Sequence, residues 1–183
     1  MSYAEVGKYD VGMKPHPRFP QQQKMAVHKP LLSDVIDSVE AHCRLKGIGK
    51  PFYNIETKTQ PATDNIYHPG PEEFVDLLMK LINKKGIAQR VIIQSFDFRT
   101  LRYLHIHYPE MKTAMLIEDF DKRSLDEEVK DLGFVPAIYS PAFELLNEEL
   151  VKQCHLQHMK VIPWTVDDKD TINKLKQMGV DGV

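Results

Sequence analysis

Two charged residues stand two apart in the stretch "PFYNIETKTQ", Glu56 and Lys58, where the neighbouring residues otherwise suit a buried strand. Side chains on a strand alternate between faces, so Asn54, Glu56 and Lys58 share one side, while Tyr53, Ile55 and Thr57 share the other. A carboxylate suits a hard cation such as Mg²⁺ or Ca²⁺, and an ammonium suits a phosphate oxygen. Together they would neutralise the charge that develops when a phosphodiester is cleaved. The competing explanation is a structural ion pair, or a strand end open to solvent, and position alone leaves both open. A site of this kind needs a further carboxylate. Glu118 closes the run "TAMLIE" at an equivalent place, with Asp119 and Asp121 beyond it, although these also suit an acidic loop leading into a helix.

Other reactive residues are less well arranged. His105 and His107 would fall on nearly opposite sides of a helix. Cys154, His155 and His158 lie where a helix ends, a place that favours a cation without any metal. Trp164 closes "KVIPW", where an aromatic ring would line a pocket or pack a rim. No G-x-S-x-G, G-x-G-x-x-G or P-loop string occurs.

These residues must be held by regular elements, and the apolar pattern names them. Helical stripes run from Leu32 to Cys43 with Ser33 as N-cap and Gly47 as stop, and from Phe74 to Ile82 with a stop near Gly86. Asp97 caps a third helix that ends before Pro109, and "SLDEEVKDLG" opens on an S-x-x-E capping box. Phe143 to Cys154 and Ile172 to Met178 supply two more. Between them lie six strand candidates, near residues 53, 92, 115, 137, 162 and 182. Such alternation marks a parallel α/β protein, and without a nucleotide-binding loop a TIM-type (β/α)₈ barrel is favoured over a doubly wound sheet. In such a barrel the C-terminal strand ends form the mouth, which is where Glu56, Glu118 and Trp164 fall. The expectation is one partial barrel domain over residues 1–183, covering about six of eight units, with the proline-rich residues 1–30 as a connector loop.

Composition narrows the partners. With 24 basic and 26 acidic residues the net charge is -2, which gives no general attraction to nucleic acid or an anionic membrane. The 183 residues contain no apolar run long enough for a signal peptide or membrane span. The compartment stays open: cytoplasmic, or periplasmic or secreted should an upstream signal precede this chain.

Three stretches, "YNIETK", "RVIIQSFD" and "KVIPWTVDDKDTINKLKQMGVDGV", in their order and spacing resemble the glycerophosphodiester phosphodiesterase family over roughly residues 30 to 183. The resemblance implies a (β/α)₈ barrel that hydrolyses a glycerophosphodiester to an alcohol and glycerol 3-phosphate with a divalent cation, Mg²⁺ or Ca²⁺. It implies that Glu56 is a metal ligand, that Lys58 contacts the phosphate in substrate binding and catalysis, and that Trp164 lines the pocket. The family's "HRG", "E-x-D" and "HD" strings, which carry its acid/base histidines and two further metal ligands, do not occur in this sequence. The expectation is therefore a chain that starts after two strands, stops within the last, is inactive alone, and self-associates through uncovered strand edges. A sphingomyelinase D-like phospholipase and a non-catalytic binding barrel are the rival readings.

Overall fold

The computed structural model describes residues 1–183, which divide into two compact units, Met1–Pro51 and Phe52–Val183. The first unit holds a single turn, α1 (Tyr3–Val6), and one long helix, α2 (Leu32–Lys46). Between them the chain is irregular and exposed, as its prolines require. Asp10 organises this segment by accepting hydrogen bonds from the amides of Met13 and Val27, both at 2.9 Å. The helix stops at Gly47, whose φ of 65° is the left-handed conformation a glycine reaches without strain. Ser33 is not its N-cap. Leu31 occupies that place with no side-chain bond, and the Ser33 hydroxyl donates instead to Asp34, 3.0 Å away.

The second unit alternates strand and helix throughout: β1 (Tyr53–Glu56), α3 (Pro71–Lys85), β2 (Val91–Ser95), α4 (Phe98–His107), β3 (Lys112–Ile117), α5 (Leu125–Leu132), β4 (Ile138–Pro141), α6 (Glu148–Leu156), β5 (Lys160–Val161) and α7 (Lys169–Met178). All five strands are parallel and lie in sequence order, β1-β2-β3-β4-β5. A doubly wound sheet reverses its strand order at a switch point, and this one does not, so the sheet is laid down as a barrel wall is.

Two further expectations fail locally in this unit. The sixth strand candidate does not form: Asp181 donates one backbone bond to Val161 O at 2.8 Å, but its carboxylate turns back to accept from the Val161 amide and from His155. One bond of this kind is not a ladder. The helix expected from Phe143 begins only at Glu148, because Phe143–Leu145 form a 3₁₀ turn and Asn147 then caps α6 through the Leu150 amide.

Sheet register decides which residues are core. Val91, Ile93 and Ser95 of β2 are buried and alternate with the half-buried Ile92 and Gln94. Met79, Ile82, Leu101, Leu104, Met115 and Leu132 are fully buried on the helix-covered side. Each such aliphatic side chain contributes roughly 1.5–3 kcal/mol by leaving water. The other face is mixed, with Asn54, Glu56 and Gln94 beside the buried Ala114, Leu116 and Ile138.

Candidate active site

Register continues from strand to strand on that second face: Glu56 lies beside Gln94, and Gln94 beside Ala114. The Asn54 amide donates to Gln94 Oε1 at 2.7 Å across it. Where β1, β2 and β3 end, their loops enclose an open cleft of about 480 Å³ lined by Glu56, Lys58, Phe96, Asp97, Glu118 and Arg123 among others. Alternation thus brings Glu56, Lys58 and Glu118 together at the strand ends. Glu56 is half-buried, and its Oε1 is buried without a hydrogen-bond partner. Neither it nor the exposed Lys58 engages the other, so the charges are not a structural pair. Leaving a buried carboxylate oxygen unbonded costs free energy that a cation or a donor would recover.

That orphaned oxygen is what a hard cation takes, and on this count Glu56 fits as one ligand. No three histidine, cysteine or acidic side chains gather to complete a metal site. Asp121 is occupied otherwise: Arg123 binds it at 2.7 Å, holding its carboxyl below the usual range, and also reaches Asp131 at 2.7 Å.

Trp164 does not line this cleft directly. Its ring meets Phe96, which does, edge to face at 5.4 Å, and its indole N–H donates to the Ser140 carbonyl at 3.1 Å. The histidines His105, His107 and His155 lie elsewhere. His105 stacks on Phe134 at 4.0 Å, His107 lies 4.2 Å from the Tyr103 ring, and His155 bonds Asp181 at 3.0 Å. Cys154 is fully buried, and burial pushes its thiol up to about 12, so it shares no site with the exposed His155.

Sequence reasoning passed over two groups. Asp97, read only as a helix cap, does accept from the Arg99 amide at 3.1 Å, but it also accepts from Thr59 and from the Arg99 guanidinium. Glu128 was read only as a residue inside a capped helix. It is 1% exposed, with Oε2 unbonded, and burial pushes its carboxyl up to about 7. Its spacing from Leu125 and Leu132, on the buried stripe of α5, is the signal that would have found it.

A parallel sheet whose strands follow sequence order, with Glu56, Lys58 and Glu118 at their ends, is built as the wall and mouth of a (β/α) barrel are. The family model for the glycerophosphoryl diester phosphodiesterase family matches residues 1–183, and the chain belongs to that family. A glycerophosphodiester phosphodiesterase of Bacillus subtilis is 28% identical over 187 aligned positions, covering 98% of this chain and 59% of its own length. The crystal structure of a putative glycerophosphoryl diester phosphodiesterase from Silicibacter pomeroyi superposes with a TM-score of 0.83 at 26% identity, over 100% of this chain and 63% of that one. A phosphodiesterase of Oleispira antarctica, solved in complex with the product sn-glycerol-3-phosphate, shares the fold at a TM-score of 0.68 and 18% identity, over 100% of this chain and 66% of that one. The chain spans about six tenths of the length of such relatives. The barrel fold expected from strand alternation is that of the family.

Proposed function

We propose that the protein carrying this chain hydrolyses glycerophosphodiesters to an alcohol and glycerol 3-phosphate. In this reading residues 1–183 form one part of a barrel domain, Glu56 is a ligand of a divalent cation of the Mg²⁺ or Ca²⁺ class, and Lys58 holds a phosphate oxygen. Trp164 backs Phe96 to make the apolar wall beside them. The observation that carries the reading is the unbonded, buried Oε1 of Glu56 in one cleft with an unpaired Lys58, in a chain matched by the family over its whole length.

The reaction joins a water oxygen to phosphorus and breaks the bond from phosphorus to the alcohol oxygen, which leaves with a proton. A bound cation would supply charge neutralisation at the phosphate oxygens. Lys58, on the rim beside Glu56, would orient the phosphate and offset the charge that accumulates on it. The acid/base strings of the family are absent from this sequence, so the chain alone turns over little substrate. The glycerol 3-phosphate bound by the Oleispira antarctica phosphodiesterase supports the substrate class.

Cation and product binding test this without turnover. Addition of Mg²⁺ or Ca²⁺ should raise the thermal midpoint of the chain, and Glu56→Ala should abolish the rise. Lys58→Ala should weaken sn-glycerol 3-phosphate binding by about tenfold, the loss expected for one charge-assisted contact of roughly 1.4 kcal/mol. A rise that survives in Glu56→Ala would remove Glu56 from the metal site.

A further inference from the structure

Beyond Glu56 the chain leaves the sheet but stays tied down. The Thr57 amide still donates to Gln94 O at 2.9 Å, and the Thr57 carbonyl accepts from the Ser95 hydroxyl at 2.8 Å. Glu56 and Lys58 alternate with Thr57 and Thr59 along the cleft, and the two threonines are buried, at 1% and 6% exposure. Each threonine hydroxyl is bonded there. Thr57 Oγ1 lies 2.8 Å from Thr100 Oγ1, and Thr59 Oγ1 donates to Asp97 Oδ2 at 2.8 Å.

Asp97 is itself gripped. The Arg99 guanidinium donates to Oδ1 through Nε at 3.0 Å and to Oδ2 through Nη2 at 2.7 Å. The same guanidinium reaches forward to Asp64, with bonds of 2.6 and 3.1 Å. One carboxylate and one guanidinium therefore fasten both ends of the loop from Thr59 to Asp64. Burial pushes the Asp97 carboxyl up, but hydrogen bonds from Arg99 and Thr59 more than offset it and leave it below the usual carboxylate range. It is ionised at neutral pH and can accept every one of these bonds.

We infer that Asp97 is a positioning residue for Lys58: by holding the Thr59 hydroxyl, it fixes where the neighbouring lysine leaves the backbone and so aims its ammonium across the cleft. The inference rests on the proposed role of Lys58 as a phosphate contact. A lysine has a long flexible stem, so its usefulness as a point charge depends on how firmly its backbone is placed. The threonines occupy the odd positions of the segment whose even positions are Glu56 and Lys58, and with Asp97 and Arg99 they form the bonded floor of the same cleft.

Substituting Asp97 would also remove the cap of α4, so Thr59 is the cleaner handle. In the chain as it stands, Thr59→Val should weaken sn-glycerol 3-phosphate binding by about tenfold through lost preorganisation, while Thr59→Ser retains it. In a Lys58→Ala background Thr59→Val should cost nothing more, an interaction that general damage to the fold would not produce. Tryptic cleavage after Lys58 should rise several-fold in Thr59→Val and stay unchanged in Thr59→Ser, since only the pinned backbone resists the protease. Equal weakening by Thr59→Val with and without Lys58, or unchanged binding, would overturn the role of Asp97 and leave the proposed function standing. A chain that binds no glycerol 3-phosphate at all, with Lys58 intact, would overturn both.

Discussion

Two glutamates in this chain share one defect and differ in everything around it. Glu56 and Glu128 each bury a carboxylate oxygen that no protein group satisfies. Glu56 stands at the end of β1 in an open cleft beside a free lysine and a further acid, Glu118. Glu128 sits on the inner stripe of α5, where Tyr139 and Cys154 are its buried neighbours, and it is almost wholly enclosed. The first can recover its missing bond from a ligand. The second instead lowers the cost of its burial by favouring the uncharged, protonated form. Glu128 also borders a cavity, of about 340 Å³ with Arg123 and Tyr139, but at 1% exposure it barely reaches it, so the orphaned oxygen points to a ligand at the half-buried Glu56 and not here.

The sharpest way to separate the two is pH. Glu128 has its carboxyl raised from 4.5 to about 7 in the fold. The folded chain thus binds a proton that the unfolded chain releases, so this contribution to stability is complete below about pH 4.5 and is lost as pH rises through about 7. Glu128→Gln should stabilise the chain at pH 8 relative to the unsubstituted protein by about 2 kcal/mol and lose that advantage at pH 4, as read from urea midpoints. A difference that does not change with pH would erase the contrast drawn between the two glutamates.

A smaller effect comes from the cap that sets α5 in place. The Ser124 hydroxyl accepts from the Glu127 amide, and the Glu127 carboxylate accepts from the Ser124 amide at 2.8 Å. Ser124→Ala should cost about 1 kcal/mol, and by fraying the first turn it should admit water to Glu128 and flatten its alkaline loss. Smallest of all, Glu56→Gln should alter the stability of the cation-free chain by no more than about 0.5 kcal/mol in the same urea titrations, because its surroundings are open. A loss comparable to the change at Glu128 would make Glu56 a structural residue.

Elements governed by local rules were readable from the residues. Gly47, Gly86, Gly133 and Gly179 each adopt positive φ at a helix end, as glycine after an apolar stripe suggests, and the box at Ser124 closes as its spacing requires. The shared face of Asn54 and Glu56 follows from strand alternation alone and is what the register shows. Features that depend on distant partners were not readable. The bond from Thr59 to Asp97 spans 38 residues, and nothing local tells a buried threonine from a strand-forming one. Glu128 was hidden for the opposite reason: the acidic first turn around it suits a helix N-terminus so well that its place on the apolar stripe drew no notice. The missing sixth strand and the late start of α6 are boundary effects, decided by single side chains, Asp181 and Asn147, that cap or turn the backbone.

Trp164 is the one tryptophan in the chain. Because its ring rests against Phe96 at the strand ends, any ultraviolet emission excited at the red edge of protein absorbance originates from a single place, the wall behind the cleft. The protein thus carries an internal optical reporter, and occupancy beside Glu56 and Lys58 can be followed as a change in its colour or brightness without attaching a label.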